Sequence, residues 1–191
     1  MNARASVAGS GSGSERLEIR LAGSGGQGLI LGARILFEAL SIEGRRASQS
    51  QNYEPTSRGG FCHSDVVVSE DVSDFPLVTG LDVLIALDQV GFDRSIGLIK
   101  PGAMVIVDQR VATPSDADWR LHRLPIGERA VASGNPRAAN MVALGAFAAL
   151  SGFFRETSLD EAIRRETPEK FAAANLSAAR AGLRFGETVT A

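Results

Sequence analysis

The feature that most constrains this chain is a glycine-rich turn set between a strand pattern and a helix pattern. Residues 16–22 read RLEIRLA, in which apolar and polar side chains alternate as in a half-buried strand. The turn GSGGQG follows without a gap, and apolar residues then recur at helical spacing over about 27–42. A strand, a glycine turn and a helix in this order predict the opening of an α/β domain.

The rest of the chain continues the alternation of strand and helix patterns. Strands are predicted at about 64–69, 82–87, 103–107 and 121–126. The two central ones are almost wholly aliphatic, which is typical of strands covered on both faces. We therefore expect a Rossmann-like α/β fold, with a mostly parallel sheet flanked by helices.

The C-terminal third is predicted to be helical. It begins after Asn135-Pro136 with a helix so rich in Ala and Gly that a neighbour can approach it closely. A capping box at Ser158–Glu161 predicts the start of a second helix, and Pro168 the start of a third. Between two of the strands, Lys100-Pro101-Gly102 predicts a type II turn.

The glycine turn is the first candidate site, because it satisfies G-x-G-x-x-G in the strand-to-helix context that gives this pattern its meaning. Its backbone N–H groups converge on a helix N-terminus, which suits a pyrophosphate or another anion. The candidate residues are Gly23, Ser24, Gly25, Gly26, Gln27 and Gly28. The alternative is that the glycines only make a tight turn with close helix packing.

A polar stretch, SQSQNYEPTSRGG at 48–60, is predicted to be a loop too long to serve only as a connection. Tyr53 offers an aromatic face, Arg58 a bidentate donor, and Gly59 and Gly60 permissive backbone positions. Together they are a candidate clamp for a phosphate or carboxylate of a ligand or a neighbouring chain. The alternative is an arginine that only ties the loop down.

An NAD site carries an acidic residue roughly 20 residues after the glycine turn, to hold the ribose. Here that stretch reads RRASQSQNY, without a carboxylate. Its two arginines suggest either a 2′-phosphate contact or solvated charges after a helix. The only histidines, His63 and His122, are interpreted as structural. No catalytic residue and no metal ligand is assigned.

Three polar side chains are expected near the ends of other elements. Asp88 and Asp108 close two successive apolar strands, at the carboxyl edge where open α/β sheets bind ligands. We interpret Asp88 as the N-cap of the next helix. Asn140 lies near the start of the small-residue helix, where capping competes with ligand contact.

Composition excludes several classes of protein. With 20 Lys and Arg against 22 Asp and Glu, the chain lacks the charge of a nucleic-acid binder. A single cysteine, Cys62, cannot supply the ligands of an iron–sulfur cluster. No window approaches the roughly 18 apolar residues of a membrane span, so a cytoplasmic protein is expected. Residues 1–15 are predicted to be a disordered arm, 16–186 one domain, and 187–191 a tail.

Four segments, in this order, resemble one known family. They are AGSGGQG followed by an aliphatic helix, RGG followed by SDVVVS, the pair DVLIAL and KPGAMVIVD, and GNPRAANMVALGA. They are similar to the gamma subunit, or the corresponding domain, of 2-oxoacid:ferredoxin oxidoreductases, over about residues 18–186. The resemblance implies a Rossmann-like domain in an assembly that oxidatively decarboxylates a 2-oxo acid with CoA to an acyl-CoA.

The resemblance also implies partners and cofactors. The partners would be thiamine-binding alpha and beta subunits and a ferredoxin-like delta subunit. This chain alone would bind no cofactor, whereas the assembly would hold thiamine diphosphate, Mg and iron–sulfur clusters, and in some assemblies a flavin that reduces NAD. CoA would bind near the subunit interface, and the glycine turn and the Arg58 loop would lie near the shared active site, toward its CoA or diphosphate end.

One loop departs from the family pattern S-Y-G-P-E-[AS]-R-G-G, since Glu54 replaces the glycine and Thr56 the acid. The substrate is therefore open between an aryl 2-oxo acid, such as phenylglyoxylate or indolepyruvate, and pyruvate or 2-oxoglutarate. Two other hypotheses remain at this point. One is a stand-alone NAD(P)-dependent oxidoreductase, and the other is an architectural subunit whose glycine turn binds nothing.

Overall fold

The computed structural model describes residues 16–53, 59–69 and 77–189. A six-stranded sheet lies at its centre. The strands are β1 (Leu17–Ser24), β2 (Ala47–Tyr53), β3 (Phe61–Val68), β4 (Leu81–Ala86), β5 (Ile99–Asp108) and β6 (Arg120–Leu124). The helices are α1 (Leu29–Ile42), α2 (Gln89–Asp93), α3 (Ile126–Ala132), α4 (Ala139–Ser151), α5 (Glu156–Glu166) and α6 (Glu169–Val189), and Ile96–Leu98 forms a 3₁₀ turn.

The order of strands across the sheet is β2-β3-β1-β4-β5-β6. The pairs β1–β4, β4–β5 and β5–β6 are parallel, whereas β3 is antiparallel to both of its neighbours. All strands except β3 therefore run in one direction, and the predicted α/β fold is confirmed with a mixed sheet. β3 runs in the opposite direction because it follows β2 directly along the chain and pairs with it as in a β-hairpin.

The larger core lies between one face of the sheet and the helices α1, α3, α4, α5 and α6. A smaller cluster on the other face surrounds Phe92 of α2 and includes Val111. β4 and β5 are covered on both faces of the sheet, and this explains why their sequences are almost wholly aliphatic.

The predicted long loop is wrong over its first half, since residues 47–53 form strand β2. Ser, Gln and Asn dominate this strand and are poor strand formers. The strand exists because it pairs residue by residue with the valine-rich β3, from Ala47 opposite Val68 to Tyr53 opposite Cys62. β3 itself begins at Phe61, three residues earlier than predicted.

The type II turn predicted at Lys100–Gly102 lies inside β5. Gly102 has a φ of +73°, as the third residue of such a turn requires. The pairing of β4 with β5 also shifts at this place, between Leu81 and Val83. The turn is therefore accommodated as an irregularity within the strand.

The predicted capping box at Ser158 is wrong, because α5 begins earlier, at Glu156. The carboxylate of Glu43, at the end of α1, takes the capping role. It accepts hydrogen bonds from the Arg155 backbone N–H (3.0 Å), the Arg155 guanidinium (2.9 Å) and the Ser158 hydroxyl (2.6 Å). These donors lower the pKa of Glu43 to about 2.

The predicted close approach of the small-residue helix is confirmed. A Cβ added to Gly145 of α4 would lie 2.9 Å from the carbonyl carbon of Ala179 in α6. A Cβ added to Gly182 of α6 would lie 2.8 Å from the Ala146 nitrogen in α4. The two helices therefore touch through their backbones.

Two further predictions concern the ends of the chain. Helix α6 continues to Val189, so the helix reaches into the predicted tail at 187–191. The predicted N-terminal arm, residues 1–15, lies outside the described residues. None of the described helices has the length and apolar character needed to cross a membrane.

Candidate functional site

The two motifs predicted as candidate sites meet at the carboxyl end of β1. The antiparallel pairing of β1 with β3 places Ser24 opposite Phe61. The Gly25 N–H then donates to the Gly60 carbonyl oxygen at 2.9 Å. The backbone at Gly60 therefore lies beside the glycine turn, and both motifs form one surface.

A hydrogen bond within the turn and the φ angles of two glycines fix its shape. The Ser24 N–H donates to the Gln27 side-chain carbonyl at 2.9 Å. A Cβ on Gly23 would collide with this same Gln27 amide. Gly26 and Gly28 have φ angles of +99° and +71°, a region that favours glycine. The φ angles therefore require glycine at positions 26 and 28, whereas a side chain at Gly23 would displace the Gln27 amide from its bond with Ser24.

Gly25 differs from these three glycines. It is exposed, its φ is not positive, and a Cβ on it would lie 3.8 Å from the Gly60 oxygen, an ordinary contact. The fold can therefore accept a side chain at Gly25. A ligand or partner that approaches the turn at Gly25 would collide with such a side chain.

Asn140 joins the glycine turn to the small-residue helix α4. Its amide nitrogen donates to the Gly28 carbonyl at 2.8 Å, and its oxygen accepts from the Met141 N–H at 3.0 Å. Asn140 is buried. Its amide thus supports the back of the turn, on the side of the helix layer.

Asp88 supports the turn from the next strand along the sheet. As predicted, it is the N-cap of α2, accepting from the Gly91 N–H at 2.9 Å. Its other oxygen accepts from the Ser24 hydroxyl at 2.5 Å. Gly91 allows this closeness, because a Cβ there would lie 2.5 Å from the carbonyl carbon of Ala22. The bond from Ser24 was not predicted, although both residues were singled out.

Three described helices, α1, α2 and α3, begin at this edge of the sheet, and they differ at their N-termini. Asp88 caps α2, and Asp108 accepts from the Gly127 N–H of α3 at 2.8 Å. Helix α1 begins after Gly28 with no side-chain cap and no acidic residue in its first turn. The first turn of α1 therefore carries no carboxylate of its own, but the Asp88 carboxylate that caps α2 lies beside the glycine turn, where it accepts the hydrogen bond from the Ser24 hydroxyl.

Asp108 is itself held ionised. Burial raises its pKa, but the hydrogen bonds from Arg110 and from the backbone of Gly127 outweigh this effect and lower the pKa overall. Arg110 is mostly exposed. Asp108 therefore serves as a charged anchor for the start of α3 rather than as a proton donor.

A buried ion pair lies behind the turn, on the sheet face opposite the helix layer. The Arg20 guanidinium on β1 donates both Nε and Nη2 to Asp65 on β3, at 2.7 and 2.8 Å. Both side chains are almost fully buried. A charged residue inside each of two apolar strands was the sequence signal for this pair, and it was overlooked.

His63 lies next to this pair, its Nε2 3.7 Å from an Asp65 oxygen. Its ring stacks on Phe61, with 4.9 Å between ring centroids. Burial lowers the pKa of His63, Arg20 lowers it further, and Asp65 opposes both. The imidazole is therefore neutral at pH 7. The structural interpretation of His63 fits this environment, as does that of the partly buried His122 in β6.

The remaining candidates stand as follows. Tyr53 is the last residue of β2 and pairs with Cys62. Gly59 has a φ of +76°, as its assigned permissive role requires. Arg58 lies outside the described residues. Within the described ranges, no three His, Cys, Asp or Glu side chains are grouped so as to hold a metal ion.

The geometry also weakens the dinucleotide hypothesis. In the dinucleotide-binding fold, the strand after the first helix lies next to β1 and carries the acid that holds the ribose. Here β3 separates β2 from β1, and β2 has no carboxylate. Arg45, one of the two arginines considered for a 2′-phosphate, lies over the Phe153 ring at 4.0 Å.

Comparison with known proteins identifies relatives of the whole described fold. The family described as pyruvate ferredoxin/flavodoxin oxidoreductase matches residues 18–185. The 2-oxoglutarate synthase subunit KorC of Methanocaldococcus jannaschii is 36% identical over 170 residues, covering 85% of this chain and 90% of that protein. The ketoisovalerate oxidoreductase subunit VorA of Methanothermobacter thermautotrophicus is 35% identical over 150 residues, covering 78% of this chain but 31% of that longer protein.

A solved structure agrees with these sequence relatives. The crystal structure of the keto/oxoacid ferredoxin oxidoreductase gamma subunit from Geobacter sulfurreducens superposes with a TM-score of 0.79 at 36% sequence identity. The match covers 91% of this chain and 98% of that subunit.

Proposed function

The chain belongs to the pyruvate ferredoxin/flavodoxin oxidoreductase family, and from this premise we propose that it is the gamma subunit of an assembly that oxidatively decarboxylates a 2-oxo acid, with CoA, to an acyl-CoA. The full-length match to a free-standing gamma subunit carries the proposal. The electrons pass to ferredoxin, or to NAD through a flavin subunit, by way of iron–sulfur clusters in other chains.

The substrate we propose is 2-oxoglutarate. Relatives named as 2-oxoglutarate synthase subunit KorC match at 33–36% identity and are covered over at least 90% of their length. The pyruvate synthase subunit PorC matches at 29%. Among the described residues of the glycine turn and of the segment after it, none favours an aryl 2-oxo acid. A comparison of acyl-CoA formation from 2-oxoglutarate, pyruvate and phenylglyoxylate by the purified assembly tests the substrate.

Thiamine diphosphate with Mg supplies the carbanion chemistry in such an assembly, bound by the alpha and beta subunits, and the delta subunit carries the clusters. The role of this chain is to close the shared site. The described part of the glycine turn surface, residues 24–28 with Gly59 and Gly60, would face the partners, and Asn140 supports it from behind. Tyr53 and Arg58 belong to the same proposed site. Its chemistry fits an anionic group, such as a CoA phosphate, because α1 presents N–H groups there and has no acidic residue in its first turn, while the nearby Asp88 carboxylate is engaged by the Ser24 hydroxyl and the Gly91 N–H.

The key experiment substitutes Gly25 by valine in the complete assembly. We expect normal assembly and thermal stability, since the added Cβ makes only ordinary contacts, the nearest at 3.8 Å from the Gly60 oxygen. Turnover should fall at least tenfold, or the KM for CoA should rise by that factor, because the side chain occupies the approach to the turn. Gly97→Val is the matched control, since an added Cβ at Gly97 meets nothing within 4 Å, and Gly97 lies in the 3₁₀ turn that precedes β5, at the opposite edge of the sheet from the glycine turn.

The outcomes separate the hypotheses. Normal turnover by Gly25→Val would favour an architectural subunit whose glycine turn contacts no ligand. A second measurement addresses the partners: affinity purification of the tagged full chain under mild conditions should recover thiamine-binding and cluster-containing chains in fixed stoichiometry. Recovery of the chain alone would contradict the proposal.

A further inference from the structure

The side chain of Ser24 is a polar group that the glycine turn does not need for its own shape. Ser24 is the last residue of β1 and is partly exposed. Its backbone N–H donates to the Gln27 side chain, and its carbonyl oxygen accepts from the Gln27 N–H at 3.3 Å. Both of these bonds use only the backbone of Ser24, so the hydroxyl group is left for another role.

Asp88 determines which way the Ser24 hydroxyl points. The hydroxyl has one hydrogen, which it donates to an Asp88 oxygen at 2.5 Å. The other Asp88 oxygen accepts from the Gly91 N–H at 2.9 Å, and this bond fixes the carboxylate at the start of α2. A carboxylate has no hydrogen to donate in return. The Ser24 oxygen therefore keeps its lone pairs, and no residue in the described ranges donates a side-chain or backbone hydrogen bond to it.

The glycine turn thus offers opposite hydrogen-bonding chemistry on its two sides. The first turn of α1 presents N–H groups, which suit an anion. Ser24 presents an acceptor, with the Asp88 carboxylate directly behind it. A phosphate oxygen at Ser24 would face lone pairs and a negative charge, whereas an N–H group would find a hydrogen-bond partner.

We propose that the Ser24 hydroxyl accepts a hydrogen bond from an amide N–H of CoA, and that Asp88 is the positioning residue that orients the hydroxyl for this contact. This role rests on the proposed function and names the group of the ligand that reaches this side of the turn. The arm of CoA between its diphosphate and its thiol carries amide N–H groups, so one molecule can bring an anion to α1 and a donor to Ser24. Gly25 is exposed and lies between the two sides, where it adds no side chain.

The test measures the steady-state kinetics of the complete assembly with CoA varied. Ser24→Ala removes the acceptor, and the KM for CoA should rise about fivefold while kcat stays unchanged. Asp88→Asn keeps an oxygen for the Gly91 N–H, and asparagine caps a helix about as well as aspartate. Its NH₂ group would donate to Ser24 and turn the hydroxyl hydrogen towards the ligand, so the KM should rise about tenfold or more. Ser41→Ala is the matched control, because Ser41 is an exposed serine at the other end of α1.

CoA analogues test the same contact without depending on a variant. In each of two analogues, one amide N–H of the CoA arm is replaced by CH₂. With one of them, the KM of the wild-type assembly should rise about fivefold, and the same analogue should no longer distinguish the wild type from Ser24→Ala. Thermal unfolding followed by circular dichroism checks that each variant is folded.

The possible results separate this contact from the alternatives. An unchanged KM for CoA in both variants, or with both analogues, would overturn the proposal, as would a rise in Ser24→Ala that Asp88→Asn does not share. Variants that bind the other subunits weakly but keep the wild-type KM once assembled would also overturn it, because Ser24 would then contact a partner chain. A wild-type assembly without CoA-dependent turnover would instead contradict the proposed function itself.

Discussion

The backbone contact between α4 and α6 makes a stability prediction that can be worked from the structure. A Cβ on Gly182 would lie 2.8 Å from the Ala146 nitrogen and the Val142 carbonyl carbon, and closer still to the Val142 carbonyl oxygen. Carbon atoms rest at roughly 3.5–4.0 Å. Neither helix backbone can turn aside as a side chain would, so the two helices must separate by more than about half an ångström along a fully buried contact.

Overpacking of this kind costs about 3 kcal/mol, near the top of its usual range. For a chain of this size, such a loss lowers the urea midpoint by about 1.5 M and the melting temperature by roughly 6–12 °C. We expect these shifts in Gly182→Ala, measured by circular dichroism during urea and thermal unfolding. Gly186→Ala should lose less, about 1 kcal/mol, because its nearest approach, 2.7 Å to the Ala149 Cβ, is less severe than that of Gly182 to the Val142 carbonyl oxygen.

Gly97→Ala is the matched control. An added Cβ there meets nothing within 4 Å and its φ is not positive, so its stability should stay within about 0.5 kcal/mol of the wild type or rise slightly. A Gly182→Ala protein as stable as this control would refute the argument, because the α4–α6 contact could then not be as close as the structure places it.

Three further predictions follow from buried or capping contacts. Asp65→Ala should lower the free energy of unfolding in urea by about 3–5 kcal/mol, because it leaves the buried Arg20 guanidinium unpaired. The double variant Arg20→Met/Asp65→Leu should recover most of this loss, and equal losses in the two variants would contradict the importance of pairing. Because the pKa of Glu43 is lowered from 4.5 to about 2, its contacts stabilise the fold fully above pH 4.5 and are lost as the pH falls towards 2. The stability difference between wild type and Glu43→Gln should shrink over that range, and a constant difference would refute this reading. Asn140→Ala should cost about 1–2 kcal/mol in the same unfolding assay by removing the bond to the Gly28 carbonyl, and an unchanged midpoint would show that this bond adds nothing.

The sequence predicted those parts of the fold that local signals determine. The opening strand, glycine turn and helix are encoded within about 25 residues, by alternation, by glycine and by helical spacing. The same holds for Asp88, whose position after a strand and before a helix start predicts a cap. Aliphatic runs sufficed for β4 and β5, because strands covered on both faces need no alternation.

The features that the sequence did not predict depend on contacts between residues far apart along the chain. Nothing in ASQSQNY predicts a strand until β3 is placed beside it. The start of α5 was missed because its capping carboxylate comes from Glu43, more than 100 residues earlier along the chain. The two candidate motifs were identified separately, but the bond from Gly25 to Gly60 follows from the register of β1 with β3, which sequence periodicity does not specify.

We propose that this chain completes a site formed by other subunits and neither forms nor breaks a covalent bond of the substrate. The most direct test measures CoA-dependent oxidation of 2-oxoglutarate by the chain alone, by the partner subunits alone, and by the two mixed, with a redox dye as electron acceptor. We expect no turnover by the isolated chain and restored turnover in the mixture. Oxidation of the 2-oxo acid, or reduction of a nicotinamide, by the isolated chain would contradict it.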